Sequence, residues 1–420
     1  MKLSVQNNII LSMNIAFFVD GYYPTVTGVI SVITQLKREF ERLGHKVIIV
    51  TVESRTDKSD TSMEQGVYRV PTIKAPLRKL KGIYIGFPGK KRVQKILIEN
   101  KIQICHAHTE FPLGEAAHKA AKALKIPCVA TTHTLWDIYY KFYFPFGHII
   151  PRWCIHLWLR NFFGSFDALI NVSQKSKNWA AEPYMVPKTP SAIIPNSFNE
   201  KKFSIESVDK NKVAEIRAKY NLKPGEKLIL SAGRLVKEKR VQELFTVCSK
   251  LVTKRSDIKV LFVGGGVEEE SLLRRLKHEK LEDKIFFSGF IPWDDIAVYY
   301  AACDIFVTVS LSEMHSMTIL EALSMSKPVV CRKDSSFTDT VFDGQNGYLA
   351  DTDEQIIEYI EKIADNPQLY DFMCKKAFEI SRNFLLEKQV QRHIAFYEKL
   401  ISKYPEKCTS EELQETVNKI

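Results

Sequence analysis

The hydrophobic pattern of this chain runs through the same cycle twice. Residues 13–20, MNIAFFVD, are almost continuously apolar, as expected of a strand covered on both faces of a parallel sheet. The next apolar positions, Val29, Val32, Ile33, Leu36, Phe40 and Leu43, recur at helical spacing, and Gly44 supplies a C-terminal stop. A second buried run, KVIIVTV (46–52), follows. Strand, helix and strand make a βαβ unit, which predicts a doubly wound sheet with ligands beyond the strand carboxyl ends. IQICHAH and PCVATTH read as further strands around a helix at Gly114–Leu124. ALINVS (168–173) and SAIIPNS (191–197) read as the last strands of this half.

A charged, loop-like stretch covers Asn199–Asp209, and the pattern then restarts. KLILSAGRL (227–235) is a strand and turn, VQELFTVCSKLV a helix, and IKVLFVGGG a strand ending in glycines. KIFFSGF, CDIFVTVS and KPVVCR are later strands. The prediction is α/β: two Rossmann-like doubly wound parallel-sheet domains facing across a deep cleft. The boundaries are 1–200 for the first domain, 201–385 for the second, and 386–420 for a C-terminal helical segment that packs back on the first.

The length of 420 residues agrees with two domains. A net charge of +11 points to a polyanionic partner: nucleic acid, an anionic membrane or a phosphorylated ligand. The eight cysteines form no CxxC pair and no histidine cluster has zinc spacing, so reduced thiols are expected and no metal site is assigned. MKLSVQNNII lacks the features of a signal peptide, and residues 1–12 are expected to be a frayed extension. No run of about 18 uninterrupted apolar residues exists, so no membrane span is predicted.

Candidate chemistry concentrates in SLSEMHSMTILEALSMSKPVV (310–330). A helix beginning near Ser316 offers free N–H groups and a partial positive charge to an anion. Side chains tilt toward a helix N-terminus, so Glu321 in the second turn reaches back to the ligand there, while Glu313 lies in the preceding loop. Carboxylates suit vicinal hydroxyls. A nucleotide sugar has these parts: diol, diphosphate, diol. Arg234 and Lys239, just after a strand of the same half, are a phosphate pair. The glycines of VGGG (263–266) would let a ligand approach the backbone.

On these residues the chain resembles the retaining GT-B glycosyltransferases of family 4. Glu313 and Glu321 match the family's E-x(7)-E element, and Gly233, Arg234, Leu235 and Lys239 its G-R-L-x(3)-K element. Pro195 and Asn196 match its linker, with Ser197 where glycine is usual. Tyr23, Pro24, Gly28 and Val29 match its N-terminal loop, and His133 its strand-end histidine. The resemblance implies that Arg234 and Lys239 hold the diphosphate with the helix end Ser316, Met317 and Thr318. It implies that Glu321 holds the ribose, that Glu313 and His133 hold the donor hexose, and that Gly28 lies near the phosphate. Phe290 and Ile291 would offer backbone to the base. It also implies a front-face mechanism, with no bound cofactor and no metal strictly required. Met314, His315 and Ser316 depart from the family, which often has glycine there, so a bulkier sugar-contacting loop is expected.

Two segments bear on the acceptor. Residues 76–101 hold eight Lys/Arg against one acidic residue, and residues 136–166 hold 12 aromatics. Arg152, His156 and Arg160 fall four apart, which predicts a polar stripe toward lipid phosphates on an interfacial helix. HAHTEFPLGEAA and TTHTLWDIYY are similar to segments of the glycosyltransferases that act on diacylglycerol. That resemblance implies a UDP-sugar donor, a membrane lipid acceptor, an anionic membrane surface as partner and a monotopic enzyme on the cytoplasmic face, with no nucleic acid. The alternatives are a polyprenyl-linked, polysaccharide or small soluble acceptor, a nucleotide-sugar epimerase, and a non-catalytic lectin-like protein.

Overall fold

The computed structural model describes residues 12–23, 27–53, 65–74, 84–86, 88–144, 146–182, 185 and 189–420. Pro24 and residues 76–83 and 87 of the basic stretch, with Lys79 and Lys81 among them, lie outside these ranges. The first domain contains β1 (Asn14–Val19), β2 (Lys46–Val52), β3 (Val67–Val70), β4 (Thr72–Lys74), β5 (Tyr84–Gly86), β6 (Ile104–Ala107), β7 (Cys128–Thr132), β8 (Ala168–Asn171) and β9 (Ser191–Ile193). Seven of these form a sheet in the order β3-β2-β1-β6-β7-β8-β9, every pair parallel, while β4 and β5 pair separately.

The second domain contains β10 (Lys227–Ala232), β11 (Ile258–Val263), β12 (Ile285–Phe287), β13 (Ile305–Thr308), β14 (Val329–Arg332) and β15 (Gly347–Ala350). They make a parallel sheet in the order β12-β11-β10-β13-β14-β15. The two Rossmann-like sheets are therefore present. β3, β4, β5 and β15 are additions to the strands read from the sequence. Strand order reverses between β1 and β6 in one sheet and between β10 and β13 in the other. Each reversal opens a crevice beyond the strand carboxyl ends, where ligands of such sheets bind.

Both faces of each sheet are covered, which accounts for the unbroken apolar runs. Successive β1 residues enter opposite cores: Ala16 and Phe18 in one, Ile15 and Phe17 in the other. The second of these cores also takes Val390, Ile394, Phe396 and Tyr397 from the helix Leu386–Lys403, with Tyr397 stacked on Phe40 at 5.8 Å. The helix Ser410–Asn418 covers the β9 edge: Ser410 Oγ and Gln414 Oε1 each accept from a β9 backbone N–H at 3.0 Å. The last helices thus belong physically to the first domain.

Candidate functional site

In the second domain the strand order dictates which loops meet. The loop after β10 carries Arg234 and Lys239, the loop after β13 carries Glu313, and β10 and β13 are neighbours across the reversal. Lys239 Nζ is ion-paired with Glu313 Oε1, and Ser310 Oγ donates to the same oxygen at 3.0 Å. Burial alone would raise Glu313. Lys239, Ser310 and Lys175 outweigh it and hold the carboxyl below its usual range. Burial pushes Lys239 down, but Glu313 holds the amine above its usual value. Arg234 is half-exposed, 3.7 Å from Glu238.

Ser316 caps the helix Met317–Ser324, its Oγ accepting from Ile319 N at 3.4 Å. The N–H groups of Met317 and Thr318 are in the first turn, at the mouth of the crevice. Glu321 accepts from Tyr300 Oη at 2.7 Å. Burial lifts its carboxyl to about 7, against the Tyr300 bond and the Lys202 charge. Lys202, from the chain segment linking the domains, bonds the Trp293 carbonyl and lies over the Trp293 ring; burial lowers its amine to about 8. Phe290 is exposed and Ile291 is partly buried in the domain core.

Two glycines of VGGG serve the packing of the chain on itself. Gly264 has φ +124°, and a Cβ there would lie 2.1 Å from the Gly233 carbonyl oxygen; a Cβ on Gly266 would lie 2.2 Å from that of Leu235. These two glycines let the Arg234 loop close over the end of β11. A correction concerns the loop after Glu313. Met314 is buried in one core of the first domain, its carbonyl accepting from Ser173 Oγ at 2.6 Å, and Met317 packs against the other core. His315 is buried, and its carbonyl accepts from Asn196 Nδ2 at 3.1 Å. The bulky side chains expected beside the sugar are instead anchors that clamp this loop between the domains.

From the first domain, His133 follows β7 and is half-buried, its Nε2 3.1 Å from His108 Nδ1 with the rings stacked at 5.4 Å. Burial lowers its imidazole to about 3, so it is neutral at physiological pH. Gly28 opens the helix Gly28–Arg42, capped by Thr27, and a Cβ there would meet nothing within 4 Å. Tyr300, Lys202, Ser310 and His108 carried no local signal in the sequence.

The expected polar stripe on the helix Arg152–Phe163 is also corrected. His156 is buried with Nε2 2.7 Å from Asp137, and Arg152 bridges Asp137 and Glu182 at 2.5 Å each. Only His156 of the three leaves the surface: Arg152 and Arg160 stay exposed, beside Trp153 at 56% and Leu157 at 38%, and the turn before the helix exposes Phe146 at 72% and Ile149 at 67%. Asp137, His156 and Glu182 are also the one trio among the described residues with ligand atoms close enough for a metal. Arg152 between its carboxylates makes it an ion-pair cluster.

Residues 26–202 match the family described as Glycosyltransferase Family 4, and residues 212–379 match Glycosyl transferases group 1. The chain is 28% identical to an alpha-monoglucosyldiacylglycerol synthase of Streptococcus pneumoniae, over 88% of this chain and 82% of that one. It is 26% identical to the alpha-monoglucosyldiacylglycerol synthase of Acholeplasma laidlawii, over 93% and 98%. Among solved structures it resembles a glycosyltransferase of Rickettsia africae (TM-score 0.74, 19% identity, 94% and 99% covered). It also resembles Anabaena HepE in complex with UDP (TM-score 0.73, 16% identity, 92% and 100% covered).

Proposed function

The chain belongs to the GT-B glycosyltransferases that join a family 4 domain to a group 1 domain, and from that premise we propose that it moves a hexose from a UDP-sugar to 1,2-diacylglycerol at a membrane surface, with retention. In this reading Arg234, Lys239 and the N-terminus of Met317–Ser324 neutralise the leaving diphosphate, so transfer requires no metal. Glu321 accepts from the ribose hydroxyls, and the backbone at Phe290 and Ile291 borders the base. Glu313 and the neutral His133 hold the hexose from opposite sides of the cleft, and Gly28 leaves room by the phosphate. The departing phosphate oxygen takes the acceptor's proton. Glucose or galactose is the sugar.

The observation that carries the donor half is the meeting of Lys239 and Glu313 at the β10–β13 reversal. The lipid half is supported by the likeness to two diacylglycerol glucosyltransferases and by the exposed Phe146, Ile149, Trp153 and Leu157. An exposed apolar cluster with cations at its edge suits the interface of an anionic leaflet, here assigned to the cytoplasmic face. No helix among the described residues is long and apolar enough to cross a membrane. The test is purified protein with a panel of nucleotide sugars and diacylglycerol vesicles, the products identified by mass spectrometry. Glycosyl-diacylglycerol from a UDP-hexose is expected. Product from donor alone would indicate an epimerase, and transfer only to soluble sugars would remove the lipid.

A further inference from the structure

A cavity of about 500 Å³ lies between the domains, within the range of small-molecule sites, roughly 300–1,000 Å³. It touches both proposed hexose loops. Leu135, two residues after His133, lines it from the first domain, and Leu311, two residues before Glu313, lines it from the second. Lys175 fastens its walls across the cleft, donating to the Leu311 carbonyl at 3.1 Å and to Asp334 Oδ1 at 2.7 Å.

The cations at the wall are already paired. Lys175 is paired with Asp334, while Arg152, which does not line the cavity, is paired with Asp137 and Glu182, which do. Three carboxylates thus face two cations, and both cations are committed. A phosphate entering here would meet a net negative surface whose cations are engaged, and like-charge contact excludes wrong partners. Hydroxyl groups meet the opposite situation, because a paired carboxylate keeps lone pairs for further donors. The apolar part of the wall includes Ile138, on the helix Trp136–Tyr143. The same helix carries the exposed Phe142, so the cavity adjoins the element that begins the apolar surface.

We propose that this cavity is the acceptor pocket and that it takes an uncharged, hydroxyl-bearing lipid headgroup while rejecting headgroups that carry phosphate. This rests on the glycosyl-transfer reading above. It makes the acceptor a neutral lipid, the product of a reaction that removes or omits a charged headgroup.

The test uses the full chain with UDP-hexose in mixed detergent micelles, where surface charge does not decide access. Diacylglycerol, a neutral glycosyl-diacylglycerol and phosphatidylglycerol are offered separately, with free glycerol as the soluble arm. Transfer to the uncharged lipids should exceed transfer to phosphatidylglycerol by roughly tenfold or more. Asp334→Asn keeps the side-chain oxygen that accepts from Ser336 N but releases Lys175, and should narrow that ratio by admitting phosphatidylglycerol. Ser335→Trp, at an exposed wall position, should raise the KM for diacylglycerol by a similar factor. Thermal midpoints and nucleotide diphosphate titrations verify that each variant is folded. If UDP-hexose binds but no acceptor receives sugar, the transfer reading falls. If transfer occurs but phosphatidylglycerol serves as well as diacylglycerol, or Ser335→Trp leaves KM unchanged, the pocket assignment falls and the transfer reading stands. Free glycerol used as readily as lipid would overturn the lipid part.

Discussion

Lys239 and Glu313 are 74 residues apart and neutralise one another before any ligand arrives. This alters what a substitution at Glu313 should do. Glu313→Gln removes the proposed hexose contact but also releases Lys239 for phosphate. Nucleotide diphosphate should therefore bind the variant at least as tightly as wild type, while transfer falls by about 10²-fold, the usual cost of losing an electrostatic stabiliser. Calorimetry beside turnover checks this, and weaker nucleotide binding would contradict the proposed division of roles. Glu321 makes a different prediction because burial lifts its carboxyl to about 7. Below that pH it is protonated and accepts poorly; above it, the carboxylate accepts from both ribose hydroxyls. Affinity for UDP-hexose should rise severalfold from pH 6 to pH 8. Lys202, the charged neighbour, stays largely protonated until about 8, and His133 and His315 titrate near 3 and 4, outside the window. UDP-hexose is the suitable probe because its diphosphate is a diester without a proton to lose in this range. Glu321→Gln should flatten the profile, and an equally steep profile in that variant would assign the pH dependence elsewhere.

At the scale of elements, the loop after β10 depends on the glycines after β11. Gly264→Ala adds a Cβ 2.1 Å from the Gly233 carbonyl oxygen at a residue with φ +124°. Strained backbone of this kind costs about 1–3 kcal/mol, and the loop that must move carries Arg234. The thermal midpoint and turnover should fall together. Gly265→Ala is the control, since the nearest atom to its Cβ is the flexible end of Glu269, at 3.2 Å, with Phe290 N at an ordinary 3.8 Å, and it should be tolerated. Unchanged turnover in Gly264→Ala would show that the glycine does not set this loop. The contrast also marks how far the sequence could be read. Strands such as β1 and β10, and the helix end at Ser316, were legible because burial periodicity and caps are local. The glycines were legible as a close approach but not as an approach of chain to chain. Lys239 with Glu313, Tyr300 with Glu321 and Met314 within the other domain were not legible. Each joins residues that only the strand order and the domain closure bring together. His156 illustrates the opposite error: spacing put it on a stripe, but its partner Asp137 lies on another helix and draws it inward.

For the whole molecule, the question is which face meets the membrane. The described part of the basic stretch includes Lys90 and Lys91, exposed at the start of the helix Lys90–Glu99. The apolar group Phe146, Ile149 and Trp153 is on the same domain. The two groups should act differently. Each cation near an anionic surface contributes roughly 1 kcal/mol and is screened by salt. Half-burial of each apolar side chain also contributes about 1 kcal/mol, and salt does not weaken it. Serine at all three apolar positions should therefore lower vesicle partition by about 10²-fold at high salt. Because the side chains are exposed, the thermal midpoint should hold. Glutamate at Lys90 and Lys91 should lower partition at low salt and matter little at high salt. Co-sedimentation with anionic and neutral vesicles at both ionic strengths separates the two contributions. Transfer to vesicle-borne diacylglycerol should follow partition, whereas transfer to the same lipid in detergent should change little, because the donor loops belong to the other domain. If the serine variant sediments and glycosylates vesicles as wild type does, this face is not the docking face, and the lipid must enter the cleft by another route.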